Sequence, residues 1–252
     1  MDKNNIGIII LAAGKGTRMN SDIPKVCFEL AGKSLIEHVL ETSLSLNPDI
    51  VGVVVGYKKE DVIEKVKKLT DLHKNIFFVN QENQNGTGDA VKSAKNIFEN
   101  FQGCVFVLCG DVPLLTKNTL VTMLNTHNEN NAQCTVLTMI LENPDKYGRI
   151  LRDNEGRIKE IIEFKDATPE IRNINEVNTG IYCFNCKDLF YALEYLDSNN
   201  AQNEFYLTDV VKIMYNNMLN TISIVLQDHK QATGINTQEQ LLELAVGNAI
   251  HL

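Results

Sequence analysis

The stretch IGIIILAAGKGTR, residues 6–18, decides the fold of this 252-residue chain. Its first part, Ile6–Leu11, is a short apolar run rich in isoleucine, which is typical of a strand buried on both faces of a sheet. Its second part, Leu11–Arg18, is rich in small residues and carries two cations. In open α/β sheets ligands bind beyond the carboxyl ends of the strands, so this loop is a candidate binding site.

The residues that follow alternate between strand-like and helix-like segments. Ser34 and Glu37 have the spacing of a capping box at the start of the first helix. The alternation predicts βαβ units, and therefore an α/β fold with a mostly parallel sheet and helices on both faces. The predicted strands are Ile50–Val55, Ile76–Val79 and Val105–Leu108, and the predicted helices are Leu35–Leu46, Asp61–Leu69 and Asp89–Phe98.

After about residue 115 the pattern becomes mixed, which predicts a continuation of the same sheet. The turn sequence Asp153–Gly156 predicts a β-hairpin between Arg149–Arg152 and Arg157–Glu163. We expect one domain over residues 1–236, with halves 1–115 and 116–236, and a terminal helix and tail over 237–252. The other predicted elements are the strands Gln133–Leu141, Val177–Tyr182 and Thr221–Leu226 and the helices Thr116–Asn128, Asp188–Leu196 and Thr208–Tyr215.

Charge and hydropathy exclude some classes of partner. Lys and Arg number 24 and Asp and Glu number 32, giving a net charge of −8. This balance argues against a nucleic acid polymer or an anionic membrane as the main partner, while a small anion in a locally basic pocket stays open. The longest apolar stretch, Ile6–Ala13, is too short to span a bilayer, and no small-residue cleavage site follows it. We therefore expect a cytoplasmic protein without a signal peptide.

The six cysteines indicate reduced thiols in a cytosol. Cys183 and Cys186 form a C-x-x-C pair, but structural zinc usually requires two such pairs. No histidine is close to this pair in the sequence, and the five histidines show no metal-ligand spacing. The pattern favours ordinary buried or half-buried thiols, with metal or redox chemistry as the less favoured alternative.

Three cations, Lys15, Arg18 and Lys25, lie within eleven residues around the first loop. Glycines in such a loop let backbone N–H groups approach phosphate oxygens, so the loop predicts a pocket for a multiply charged anion. The alternative is a glycine-rich turn with solvated lysines. The loop does not match the dinucleotide fingerprint, because Met19 occupies the position of the last glycine. The segment that ends at Ser34 does not match a P-loop either, because Cys27 occupies the position of the first glycine.

The following blocks occur in a fixed order along the sequence: residues 11–19, 24–26, 30–33, Gln81 with 86–88, 109–114, 147–149, 162–168, 176–180, 200–202, 206–209 and 234–236. Together these blocks resemble the signature of the sugar-nucleotide pyrophosphorylases. The strongest resemblance is to the uridylyltransferase domain of bacterial bifunctional N-acetylglucosamine-1-phosphate uridyltransferases. It implies a Rossmann-like mixed sheet of the nucleotide-diphospho-sugar transferase type, with a nucleotide-binding half (1–115) and a sugar-binding half (116–236).

Two features depart from the family pattern. Cys109 stands where the family commonly has tyrosine or another larger residue. The hexapeptide repeats that carry acetyl transfer and trimerisation in the bifunctional proteins do not occur in this sequence. We therefore expect no acetyltransferase activity, and the oligomeric state stays open.

The reaction implied by the resemblance is UTP plus N-acetylglucosamine 1-phosphate giving UDP-N-acetylglucosamine and pyrophosphate, with Mg²⁺ as cofactor. The implied catalytic residues are Arg18 and Lys25, and the implied Mg²⁺ ligands are Asp111 and Asn236. The implied nucleotide-binding residues are Leu11, Ala12, Ala13, Gly14, Lys25, Gln81, Gly86 and Thr87, and the implied sugar-binding residues are Gly148, Glu163 and Asn178.

Less specific interpretations of these residues also stay open. A lone aspartate after a buried strand is often a turn former or a helix cap, which would explain Asp111 without a metal. Two other functions fit the same blocks: a pyrophosphorylase for another pair of nucleoside triphosphate and sugar 1-phosphate, and a non-catalytic subunit that binds a sugar nucleotide.

Overall fold

The computed structural model describes residues 5–249. The first four residues and the last three residues of the expected tail lie outside the described residues. In chain order the strands are β1 (Ile6–Ala12), β2 (Glu29–Leu30), β3 (Lys33–Ser34), β4 (Ile50–Val55), β5 (Ile76–Asn80), β6 (Cys104–Cys109), β7 (Cys134–Ile140), β8 (Arg149–Arg152), β9 (Ile158–Ile162), β10 (Glu176–Asn185) and β11 (Thr221–Val225). The α-helices are α1 (Leu35–Leu44), α2 (Lys59–Leu72), α3 (Thr87–Ser93), α4 (Lys117–Glu129), α5 (Pro169–Arg172), α6 (Cys186–Leu193), α7 (Asp209–Asn216) and α8 (Gln238–Ala249).

Nine of the strands form one sheet, whose main path runs β11-β7-β10-β6-β1-β4-β5. β10 is antiparallel to both of its neighbours on this path, whereas the other pairs on the path are parallel. The hairpin of β8 and β9 extends from β10, as the turn at residues 153–156 predicts. The predicted α/β fold with a mostly parallel, mixed sheet is therefore confirmed.

The core is divided between the two faces of this sheet. In β1, Ile8 and Ile10 pack on the face covered by α1, α2 and α4, and Ile9 packs on the face covered by α3, α6 and α7. All three isoleucines are fully buried, which explains why the strand has no polar alternation. Burying each such side chain stabilises the fold by about 1.5–3 kcal/mol, so the sheet centre is fixed mainly by hydrophobic burial.

Two local predictions are confirmed, and one predicted helix is divided in the structure. The capping box is present, with the backbone N–H of Ser34 donating to Glu37 Oε2 at 2.7 Å. β4 has the predicted bounds. The segment predicted as one helix over Asp89–Phe98 instead divides into α3 and a 3₁₀ helix at Lys95–Phe98.

β10 is longer than predicted and contains a register shift against β7 between Asn178 and Tyr182. Such irregularities re-aim side chains at the edge of a sheet, and this one lies next to the carboxyl end of β6. Among residues 5–249, no helix is long and apolar enough to cross a membrane.

Candidate active site

The order of the strands places a crevice at the carboxyl ends of β1 and β6. From β1 the chain moves outward to β4 and β5, and then returns to place β6 on the other side of β1. This reversal is a topological switch point, where the loops after neighbouring strands separate and leave room for a ligand.

A cavity of about 400 Å³ opens at this switch point. Asp111, which follows β6, also lines it. The structure thus brings together one predicted metal ligand and every predicted nucleotide-binding residue, namely Leu11, Ala12, Ala13, Gly14, Lys25, Gln81, Gly86 and Thr87.

A second cavity of about 440 Å³ adjoins the first, since Cys109 and Asp111 line both. Arg18 and Asn236 line the second cavity, as does Thr179 of β10. The predicted catalytic and metal-binding residues therefore lie around one continuous site, although they come from distant parts of the chain.

Lys25 is the central cation of this site. Its ammonium group forms an ion pair with Asp111 Oδ2 and donates to Asn236 Oδ1 at 3.0 Å. The Arg18 guanidinium also donates to Asn236 Oδ1, at 3.0 Å. The side chains of Lys25 and Asp111 are 19% and 15% exposed, so the pair is shielded from bulk solvent but reachable from the cavity.

The first loop holds Lys25 in place by close backbone contact. Gly16 has φ +66°, and a Cβ at this position would lie 2.5 Å from Lys25 Cβ. Only glycine combines this conformation with this approach. Lys15 points elsewhere, with its ammonium group 5.3 Å from the ring centroid of Tyr57, and it lines neither cavity.

Asn236 is positioned by a residue that the sequence analysis missed. Gln240, in the first turn of α8, accepts hydrogen bonds from the backbone N–H groups of Asn236 (2.7 Å) and Thr237 (3.2 Å). Because α8 packs against Leu30 and Leu35 through Leu241 and Leu244, the helix ties Asn236 to β2 and to the start of α1. A glutamine four residues after the predicted ligand carried no signal in the sequence.

The segment predicted to read the base is held by hydrogen bonds within the protein. Both donors of the Gln81 amide are used, on Gly86 O (3.1 Å) and Asp89 Oδ2 (2.7 Å), which leaves its Oε1 as an acceptor. The Thr87 hydroxyl accepts from the backbone N–H of Leu207 at 3.0 Å. Gln84, also missed from the sequence, donates to Ala13 O at 2.9 Å and joins this segment to the first loop.

The three predicted sugar-binding residues lie together but line neither cavity. The backbone N–H of Asn178 donates to Gly148 O at 2.9 Å, and a Cβ on Gly148 would lie 3.6 Å from Glu163 Oε1. Asn178 donates through its side chain to the hydroxyl of Tyr182 at 2.7 Å. Tyr182 is the last residue of the predicted strand Val177–Tyr182, and the register shift in β10 lies between it and Asn178.

This group reaches the crevice through Gly180, whose carbonyl accepts from Cys109 Sγ at 3.5 Å. Burial raises the pKa of Glu163, and the charges of Asp209 and Asp166 raise it further, while a hydrogen bond from Thr208 opposes them. A carboxyl group with a raised pKa is more easily protonated and can then donate a hydrogen bond to a polar ligand.

Cys109 lies between the two cavities, yet it is not poised as a nucleophile. Burial, and secondly the negative charge of Asp111, raises the pKa of its thiol to about 12. The reactive form of cysteine is the thiolate, which such a pKa suppresses at neutral pH. The site therefore offers cations and oxygen ligands rather than a covalent nucleophile.

A crevice at the carboxyl ends of two parallel strands, lined by glycines, cations and oxygen ligands, is where α/β proteins of this architecture bind their ligands. The family model described as "Nucleotidyl transferase" matches residues 7–232, so the chain belongs to the nucleotidyl transferase family.

Curated relatives agree with this assignment. The bifunctional protein GlmU of Acetivibrio thermocellus is 43% identical over 235 residues, covering 93% of this chain and 50% of the relative. The protein of the same name from Clostridium tetani is 40% identical over 249 residues, covering 97% of this chain and 53% of the relative. The chain thus spans about half the length of these relatives, and the resemblance to bifunctional uridyltransferases is confirmed.

A solved structure supports the fold independently. The crystal structure of UDP-glucose pyrophosphorylase complexed with UDP-glucose superposes with a TM-score of 0.75, at 18% sequence identity. The match covers 98% of this chain and 100% of the other. At this identity the likeness establishes the shared fold.

Proposed function

We propose that this chain transfers a uridylyl group from UTP to N-acetylglucosamine 1-phosphate and releases pyrophosphate. The observation that carries the proposal is the convergence of Arg18, Lys25, Asp111 and Asn236 on a crevice that every predicted nucleotide-binding residue also lines. The relatives named GlmU support the choice of substrates.

In the proposed reaction a phosphate oxygen of the sugar phosphate attacks the α-phosphorus of UTP in line. A new oxygen–phosphorus bond forms, the bond from the α-phosphorus to the bridging oxygen breaks, and pyrophosphate leaves with that electron pair. A phosphate monoester is already anionic at neutral pH, so this attack needs no general base. The residues then have to supply position and positive charge.

Lys25 suits the meeting point of the two reacting phosphates. Two anions brought side by side repel strongly in a shielded site, and one ammonium group between them offsets that repulsion. Arg18 suits the departing pyrophosphate, because its planar guanidinium bonds phosphate oxygens in pairs.

The oxygens around Lys25 also fit Mg²⁺. Asp111 offers a carboxylate and Asn236 an amide oxygen, which are the hard donors that Mg²⁺ prefers, and both already accept from one cation. A bound Mg²⁺ would supply further positive charge to the phosphates. We propose Asp111 and Asn236 as the protein ligands, with substrate oxygens and water completing the shell.

The free acceptor of Gln81 favours uracil over cytosine. Uracil presents an N–H donor at N3 of its pairing edge, whereas cytosine presents an acceptor there. Because Asp89 and Gly86 use both donors of Gln81, the remaining Oε1 matches uracil and opposes cytosine. We propose that Gly86 and Thr87 complete the base site and that Gly148, Glu163 and Asn178 contact the sugar.

A panel of substrates tests the proposal. Each of the four nucleoside triphosphates is combined with glucose, galactose, glucosamine and N-acetylglucosamine 1-phosphates in the presence of Mg²⁺, and pyrophosphate release is measured. We expect the highest rate with UTP and N-acetylglucosamine 1-phosphate, and loss of the rate in excess EDTA.

A different preferred pair would overturn the assigned substrates but keep the transferase. No release with any pair, together with tight binding of a sugar nucleotide, would favour the non-catalytic subunit. Full activity in excess EDTA would remove the metal assignment of Asp111 and Asn236.

A further inference from the structure

A second group of chemically active side chains lies away from the transferase crevice. Histidine, cysteine, aspartate and glutamate side chains can bind metal ions. Among residues 5–249, one group of three such side chains has all its ligand atoms within 4.8 Å of one another, and it consists of Cys104, His127 and Cys183. Cys183 is fully buried, His127 is 3% exposed, and Cys104 is half-buried at the start of β6.

The pairing of β6 with β10 explains why the two sulfurs meet. The strands are antiparallel, with Cys104 opposite Asn185 and Cys183 opposite Phe106, so the two cysteines are diagonal neighbours on one face. The last turn of α4 covers that face and brings His127 over them. Cys186 belongs to the hydrophobic cluster on the other face of the sheet, so the C-x-x-C pair of the sequence is not the pair that the fold creates.

The surroundings of His127 resemble those of a metal ligand. Its Nδ1 lies 2.9 Å from the hydroxyl of Thr135, a residue opposite Cys183 on β7. Metal-bound histidines commonly fix their orientation by such a hydrogen bond through the nitrogen that does not bind the metal. This contact leaves Nε2 as the ring nitrogen available to a ligand.

An unsatisfied amide beside the group is an independent sign that a partner belongs there. Asn128 Oδ1 accepts from Cys104 Sγ at 3.6 Å, while its buried Nδ2 finds no hydrogen-bond partner among the described residues. Leaving a buried donor unpaired is costly, so an acceptor that the described residues do not supply is expected beside Cys104.

We propose that Cys104, His127 and Cys183 bind a Zn²⁺ ion, with water or the Asn128 amide in the fourth position. Two thiolates and a neutral imidazole form a donor set typical of zinc and balance its charge. The site is separate from the proposed Mg²⁺ ligands, because Cys104 begins the strand whose far end, about 16 Å away, leads to Asp111.

Cobalt substitution tests this site on the full, reduced chain. Co²⁺ bound to two thiolates in tetrahedral geometry gives sulfur-to-metal charge transfer in the near ultraviolet and d–d bands in the visible. We expect one equivalent of Co²⁺ to produce these bands, Zn²⁺ to displace it, and Zn²⁺ to raise the midpoint of thermal unfolding.

Three variants and two controls distinguish this site from other thiols and from the proposed Mg²⁺ ligands. C104S, C183S and H127Q are expected to weaken Zn²⁺ binding at least tenfold, measured by competition with a chromophoric chelator. C186S replaces a buried cysteine that lies outside the group, and we expect it to leave Zn²⁺ binding unchanged. D111N is expected to leave the cobalt bands unchanged, which separates this site from the proposed Mg²⁺ ligands.

Absence of the charge-transfer bands in the folded wild-type chain would overturn the proposal. So would equal binding by wild type and C104S, a variant at a half-buried position. Loss of binding in C186S alone would transfer the site to the C-x-x-C pair and contradict the group described above. Circular dichroism of each variant establishes that it is folded before metal is added.

Discussion

At the scale of single residues, Lys25 controls the charge of the crevice. Its ammonium group is held between Asp111 and Asn236, and Asn236 also accepts from Arg18. Two cations and one carboxylate thus share a small region of a chain whose net charge is −8. In the proposed reaction these two cations would face the phosphates of the triphosphate and the sugar phosphate.

Replacing this cation tests the proposed mechanism directly. We expect Lys25→Ala to lower the turnover number for pyrophosphate release by on the order of 10²–10³, the scale for loss of one preorganised charge partner. Lys65→Ala is the matched control, because Lys65 pairs with Glu29 on the surface and lines neither cavity. A change of less than about threefold in a folded Lys25→Ala protein would contradict the assigned role.

At the scale of elements, the start of α3 shapes the base side of the crevice. Gly86 precedes the helix with φ +112°, and a Cβ there would lie 2.6 Å from Phe205 O. The backbone N–H of Gly88 donates to the same carbonyl at 2.8 Å. The helix therefore begins against the segment that leads into α7, and a side chain at Gly86 would separate them.

This contact predicts a measurable loss of stability. Gly86→Ala should lower the free energy of unfolding by on the order of 1–3 kcal/mol, because it adds both a strained backbone conformation and a steric clash. Gly14→Ala is the control within the same cavity, since a Cβ there meets nothing within 4 Å, and it should change stability by less than about 0.5 kcal/mol. Urea unfolding of both variants provides the comparison, and equal stabilities would show that α3 tolerates a side chain at its start.

At the scale of the whole molecule, one sheet collects residues from nearly the entire chain. The strands β1 and β6 position the first loop and Asp111, and the reversed strand β10 adds the group around Asn178.

Carboxyl groups also lie close together near the start of α7. Burial, and then the nearby charges of Asp197, Asp166 and Glu160, raise the pKa of Asp209 to about 6, although Lys212 opposes them.

This raised pKa predicts how the stability of the molecule depends on pH. The folded protein holds a proton on Asp209 up to about pH 6, whereas the unfolded chain releases it near the ordinary value of 3.8. The folded state therefore binds more protons in that window, and this group makes the free energy of unfolding fall as pH rises through it. We expect Asp209→Asn to remove that part of the slope.

Urea unfolding between pH 3.8 and about 6 measures the difference between wild type and Asp209→Asn. The variant should gain stability relative to wild type as pH rises through the window. Asp188→Asn, at the first turn of α6, controls for the loss of a carboxylate at the start of a helix. Parallel curves for wild type and Asp209→Asn would show that Asp209 does not titrate in this range.

Features that depend on neighbouring residues could be predicted from the sequence, whereas contacts between distant residues could not. The buried strands, the capping box at Ser34 and the hairpin at residues 153–156 follow from neighbouring residues, and each is present. Gln240 and Tyr182 were missed, because their contacts depend on the packing of α8 and on the register of β10. No pattern of neighbouring residues encodes either contact.

The sequence by itself determined the alternation of strands and helices, the small-residue loop after β1 and the set of cations near it, because each depends on residues adjacent in the chain. Only the tertiary structure decided that Lys25 lies between Asp111 and Asn236, and that Cys104 meets His127 and Cys183 rather than Cys186. These contacts between distant residues depend on the order and register of the strands, which are fixed by burial over the whole sheet. A one-residue change of register would turn each of these strand side chains to the other face.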